Sequence, residues 1–173
     1  QSEIAAGVLQ HLQDDDWFHK TRGFAELTAQ VAGLFRAVLG VDDGFRCGFL
    51  GHIATELLLD AVLINRDYDQ LNRYYDVLNS VDAETIQETV NQMARHQTDR
   101  LSLVISVFRR DQFLRDYLDS QRLLYRLNQV MARVRLPVLP DRIEDVLENA
   151  RQVVETHVEA LLPPEHFKHE KTD

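Results

Sequence analysis

The stretch that decides the fold is Gly48-Phe49-Leu50-Gly51-His52-Ile53-Ala54-Thr55-Glu56-Leu57-Leu58-Leu59-Asp60-Ala61-Val62-Leu63-Ile64. Its apolar residues recur at helical spacing and cover most of a helix circumference, the pattern of a helix packed on several sides. His52, Glu56 and Asp60 interrupt it at four-residue steps, which places them in one stripe along a single face. Downstream, from His52 to Leu136, the chain contains neither Gly nor Pro and the helical period continues. All seven glycines fall within the first 51 residues, and the four prolines stand at 137, 140, 163 and 164. The chain therefore reads as all-α, a single domain over 1–173 built as a bundle of about seven helices. Helices are expected near 3–20, 24–39, 44–65, 68–79, 83–107, 111–135 and 141–162. Gly40 is expected to stop the second, and Asp82 and Asp141 to cap the fifth and the last. Pro163-Pro164 should end the last helix and leave His166 to Asp173 as a frayed polar tail.

A second stripe has the same spacing. His11, Asp15 and His19 lie beside the apolar residues Ile4, Val8 and Leu12 of the first helix, and so should point toward the core. Imidazole and carboxylate are the usual ligands of catalytic metals. Two such stripes facing each other inside a bundle would supply six donors: His11, Asp15, His19, His52, Glu56 and Asp60. A buried carboxylate is costly unless it is paired or bound to a metal. The spacing selects Asp15 from Asp14-Asp15-Asp16, and Trp17 and Phe18 would wall the site. The ion expected is a divalent Mn, Fe or Zn. Asp15 and Arg22 are the residues expected to carry catalysis, Arg22 as a planar two-pronged donor to a substrate phosphate; Arg22 on the surface is the alternative. Gly48 and Gly51 would let another backbone or a ligand approach closely. The third-helix stripe has its own alternative, a narrow solvent face on which His52 and Glu56 form a helix-surface pair. His96, Asp99 and Arg100 form a further polar cluster, in which His96 is either another ligand or a surface residue. There is no serine nucleophile elbow and no phosphate-cradling glycine loop.

A net charge of −9 argues against nonspecific nucleic-acid binding. The 45% hydrophobic and 27% charged fractions are those of a soluble globular protein. The single cysteine, Cys47, excludes an internal disulfide and fits a cytoplasmic location. Asp60 interrupts the longest apolar run, so no membrane span is expected. Gln1-Ser2-Glu3 is neither a signal peptide nor a natural start, and N-terminal residues are expected to be missing. Nine arginines between Arg95 and Arg135, against four aspartates, would present a basic surface to an anionic substrate or an acidic partner. Solvated helix faces with local ion pairs are the other reading of that stretch.

Gly7-Val8-Leu9-Gln10-His11 with Asp15 and Phe24, and Gly48-Phe49-Leu50-Gly51-His52-Ile53-Ala54-Thr55-Glu56, resemble two motifs of the acyl carrier protein phosphodiesterase family. Phe113-Leu114-Arg115-Asp116-Tyr117 and Leu127 to Arg133 are similar to two more, so the resemblance runs over most of the chain. It implies an HD-like all-α fold and metal-dependent hydrolysis of a phosphodiester, with acyl carrier protein as a partner and substrate. His11 and Asp15 match that family's pattern. His19, His52 and Glu56 stand where it usually has Asp, and Leu57 where it usually has His, which enriches the ligand set in histidine and shifts the preferred metal toward iron, zinc or manganese. Gly51-His52 through Leu59-Asp60-Ala61 also resembles the helices of zinc-dependent phospholipase C-like hydrolases. A non-catalytic helical metal-binding or interaction protein is the alternative from another class.

Overall fold

Helix order follows from where polar side chains and left-handed residues interrupt the apolar period. The computed structural model describes residues 2–40 and 44–163. Among these residues there are nine α-helices, one 3-10 helix and no strand, so the chain is all-α. They are α1 (Ser2–Lys20), α2 (Arg22–Leu39), α3 (Cys47–Arg66), α4 (Tyr68–Ser80), α5 (Ala83–Met93), α6 (Leu101–Asp111), the 3-10 segment Phe113–Leu118, α7 (Ser120–Arg133), α8 (Ile143–Thr156) and α9 (Val158–Leu161). The expected tail His166 to Asp173, and Pro164 as a helix stop, lie outside the described residues.

Three expected long helices are each divided, and each break has a local cause. The helix expected over 83–107 ends at Ala94 and resumes at Leu101. Asn91 holds the intervening turn closed: its Nδ2 donates to the carbonyl of Thr98 at 2.9 Å and its Oδ1 accepts from the Thr98 N–H at 2.8 Å. The helix expected over 111–135 is interrupted because Gln112 is left-handed, with φ 44°. Asp119 then caps α7 by accepting from the Arg122 N–H. The last helix turns at His157, whose Nδ1 lies 2.7 Å from the Val153 carbonyl. Gly40 and Asp82 cap as expected. Asp141 does not: Arg142 occupies the N-cap position of α8, with no side-chain bond to it.

Contacts gather into two compact units, residues 1–18 with 67–113, and residues 19–66 with 114–173. The second unit holds most of the core. There α3 packs against α2 and α8, α2 against α8 and α9, and α7 against α8. Phe24, Leu27, Val31, Phe35 and Leu39 form the buried face of α2 at helical spacing. Leu50, Ala54, Leu58 and Ala61 answer from α3, and Ile143, Leu147, Ala150 and Val154 from α8. By length and composition α3 is apolar enough to cross a membrane, with a mean hydropathy of 1.6 despite Asp60. Here 56% of that segment is buried inside the fold. In the first unit, none of the α1 residues whose burial is described is buried, and Leu12 is 57% exposed. The expected inward stripe of Ile4, Val8 and Leu12 is therefore not a core face.

One contact fixes the spacing of α2 and α3. A Cβ added at Gly51 would stand 2.7 Å from the backbone nitrogen and 2.8 Å from the Cα of Ala32. The expectation of close approach holds at Gly51 and fails at Gly48, where a Cβ would meet nothing within 4 Å. Alanine in a helix interior gains up to about 1 kcal/mol over glycine, while forcing atoms into a packed interior costs about 1–3 kcal/mol. At Gly51 the obstacle is main chain, which cannot swing aside, so Gly51→Ala should lower the thermal midpoint. At Gly33, within α2, an added Cβ meets nothing within 4 Å. Gly33→Ala should therefore raise the midpoint, and thermal melts of both variants beside the parent check the pair of opposite signs.

Candidate metal centre

Three of the expected ligands come together in the second unit. His19 lies in the last turn of α1, and the chain then bends at Thr21, whose Oγ1 accepts from the Phe24 N–H and caps α2. That bend sets His19 and Phe24 on either side of the α1–α2 corner. His52 and Glu56 lie one turn apart on α3. Nε2 of His19 donates to Oε1 of Glu56 at 2.6 Å, and Nε2 of His52 lies 3.1 Å from the same oxygen. The two imidazoles stack with centroids 4.9 Å apart and planes 16° from parallel. Phe24 meets both edge-on, each at 4.9 Å.

One donor atom from each of His19, His52 and Glu56 falls within 4.8 Å of the others, so the trio can hold a metal ion. Two imidazoles and a carboxylate are a known ligand set for catalytic zinc, one that leaves a coordination position open, and the same set with open positions is used by non-haem iron. The side chains are 28%, 39% and 34% exposed, so an ion and a small substrate can reach them from solvent. Phe24 is buried beneath the rings and closes the other side.

The remaining expected residues are placed as follows. Asp60 lies one further turn along α3, an exposed residue whose carboxylate is still partly shielded from water. Crowding by the surrounding protein, and secondarily the charge of Glu56, pushes its pKa from 3.8 up to about 6. His11 and Asp15 are exposed positions on the part of α1 that belongs to the first unit. Trp17 and Phe18, the expected walls, are half-buried residues of that same unit. Arg22 is 89% exposed and pairs with Glu26 one turn on, at 2.7 Å. Thr55, beside the stripe, is buried and donates to the Gly51 carbonyl at 2.8 Å. His96 is exposed in the turn between α5 and α6.

Part of the arginine-rich stretch is engaged within the fold. Arg109 donates to the Val81 carbonyl and Arg110 pairs with Asp111 at 2.7 Å. Arg122 and Arg126 converge on Asp116, at 3.5 Å and 2.6 Å. Arg95, Arg100, Arg133 and Arg135 remain exposed. The residue at the centre that spacing alone did not reveal is Phe24. It does not share the four-residue step of the ligands, because it reaches them across the α1–α2 corner. No protein-family model, curated protein or solved structure matches the chain.

The raised pKa of Asp60 has a stability consequence with a definite sign. Between pH 3.8 and about 6 the folded chain holds a proton at Asp60 that the unfolded chain has lost. Folding stability from this group is therefore greatest at acid pH and declines as pH rises through that window. Asp60→Asn in chelator-treated protein should raise the thermal midpoint at pH 7, and the gain should vanish below pH 4. Melts across that range check it, and equal midpoints at every pH would contradict the assigned environment.

Proposed function

We propose that this chain is a divalent-metal-dependent hydrolase of phosphate esters, a phosphodiesterase of the kind its motifs resemble. The observation that carries the reading is the convergence of His19, His52 and Glu56 on one solvent-reachable point within the second unit. Two imidazoles and one carboxylate suit zinc, iron or manganese. A divalent ion there supplies a Lewis acid and lowers the pKa of water into the neutral range. His19, His52 and Glu56 would hold it, and the two imidazoles, stacked on each other, both meet Phe24 edge-on. Buried Phe24 excludes water from the inner side, so a substrate must approach from the solvent face. Asp60, one turn beyond Glu56, would face the rim of that approach. Arg22 would have to leave Glu26 to meet a phosphate. His11 and Asp15 complete the motif resemblance, and a protein substrate such as acyl carrier protein belongs to that resemblance alone. A zinc-dependent phospholipase C-like hydrolase would use the same trio on a different ester.

A second reading has an observation of its own. The single Glu56 oxygen already meets both imidazoles, hydrogen-bonded to His19 and 3.1 Å from His52 Nε2, so the trio also stands as a self-contained polar cluster in a helical metal-binding or interaction protein. Metal analysis and turnover separate the two. Protein purified without chelator should contain a transition metal. His19→Ala and His52→Ala should each weaken binding by more than the roughly 10–100-fold that loss of an outer partner costs, while His96→Ala leaves it unchanged. The metal-loaded parent should hydrolyse bis-p-nitrophenyl phosphate and both ligand variants should not. Bound metal with no turnover of any phosphate ester would favour the non-catalytic reading, and full metal retention in both variants would remove this site.

A further inference from the structure

Three buried side-chain polar atoms among the described residues lack a hydrogen bond: Oγ1 of Thr28, and Nε of Arg109 and of Arg151. Each arginine donates through another nitrogen, to the carbonyls of Val81 and Tyr117. The Thr28 hydroxyl has no such second contact. A threonine inside a helix commonly gives its hydroxyl to the carbonyl one turn back. Thr55 does so to Gly51, and Thr89 to Thr85. Thr28 does not, and a buried hydroxyl without a partner is costly. An orphan of this kind in a folded chain calls for a reason.

Its place in α2 supplies one. Thr28 stands one turn after Phe24 and one turn before Ala32, on the same face of the helix. Phe24 touches the His52 ring, and the Ala32 backbone abuts Gly51. The position between them therefore faces the same turn of α3, the turn that carries His52. That imidazole meets Glu56 through Nε2, and His19 and Phe24 through its ring. Among the described residues its Nδ1 meets no hydrogen-bond partner. To give Nε2 to a metal, the ring must carry its proton on Nδ1. Metal-bound imidazoles almost always donate that proton to an acceptor, which fixes tautomer and ring orientation. We propose that Thr28 is a positioning residue of the metal centre, its hydroxyl accepting from His52 Nδ1 when an ion is held. The inference rests on the metal-binding reading of His19, His52 and Glu56, and it accounts for the orphan: the hydroxyl acquires its partner on loading.

Thr28→Val keeps the shape and removes the hydroxyl, and its two expected effects have opposite signs. In chelator-treated protein it should raise the thermal midpoint, because the unpartnered hydroxyl is gone. In zinc titrations of the full chain against a chromophoric chelator it should weaken binding by about 10–100-fold, the loss usual for an outer partner of a metal ligand. Thr28→Ser keeps the hydroxyl without the methyl group and should bind zinc as the parent does. In zinc-loaded parent and serine variant, the His52 Nδ1 proton should give a slowly exchanging imidazole resonance in NMR spectra, and the valine variant should lose it. A valine variant that binds zinc as tightly as the parent would overturn the role of Thr28 and leave the centre standing. So would a serine variant as weak as the valine one, since the hydroxyl would then not be the cause. A parent that binds no zinc removes the centre and this role together, an outcome visible before any variant is compared.

Discussion

The approach of α2 to α3 at Ala32 and Gly51 governs the second unit. With no side chain at Gly51, the Ala32 backbone sits where any Cβ would be, so the two helices are held at a separation that bulkier pairs do not allow. This closeness seats the buried face of α2 against the widely apolar surface of α3. It also leaves α3 one strip free of that packing, the strip that bears His52 and Glu56. A similar contact exists at the start of α2, where a Cβ on Gly23 would collide with the carbonyl of Ala160. Two glycines thus register α2 at two points, one against α3 and one against the C-terminal helix. Phe24 follows Gly23 directly, so its place beneath the imidazoles is set by the same constraint.

Much of this was legible in the sequence, and the exceptions have physical reasons. The all-α class followed from periodicity uninterrupted by Gly or Pro, and the ends of α2, α3 and α4 lie within a few residues of where turn residues put them. The breaks at 94–100, at Gln112 and at His157 were not legible. Each rests on side-chain bonds or on a left-handed residue that is neither Gly nor Pro, and a polar stretch such as Gln97-Thr98-Asp99-Arg100 is equally consistent with an exposed helix face. At the candidate site, the four-residue step on α3 correctly placed His52 and Glu56 together, because i and i+4 positions must share a face. His19 joins them across the corner, a relation that spacing within one helix cannot state. The stripe on α1 read as inward because Ile4, Val8 and Leu12 share a face. That face is weakly defined, since Leu9 is apolar and points elsewhere, and periodicity alone does not say that a neighbour exists to cover it.

Charge is also unevenly used. The arginines of residues 95–135 are concentrated enough in the sequence to suggest a binding surface, yet several act as internal ties. Asp116 receives two of them, and Arg109 closes the end of α6 onto the chain following α4. A guanidinium offers five donors in a rigid fork, which suits it to linking elements whose backbone carbonyls would otherwise lack partners. High arginine density in a helical stretch therefore reports on loop closure as readily as on recognition.

The oxygen shared by the two imidazoles bears on which ions can enter. A cation held by the trio would have to take the place of the His19–Glu56 hydrogen bond and of the 3.1 Å approach of His52 Nε2 to the same oxygen. Exchange of that kind acts as a threshold. Magnesium and calcium draw their binding energy from oxygen, gain little from an imidazole nitrogen, and would leave two rings without their acceptor. Ions that bind nitrogen strongly recover the loss and more. If the trio holds an ion, that exchange would favour nitrogen-binding cations over magnesium and calcium before any difference in coordination number comes into play.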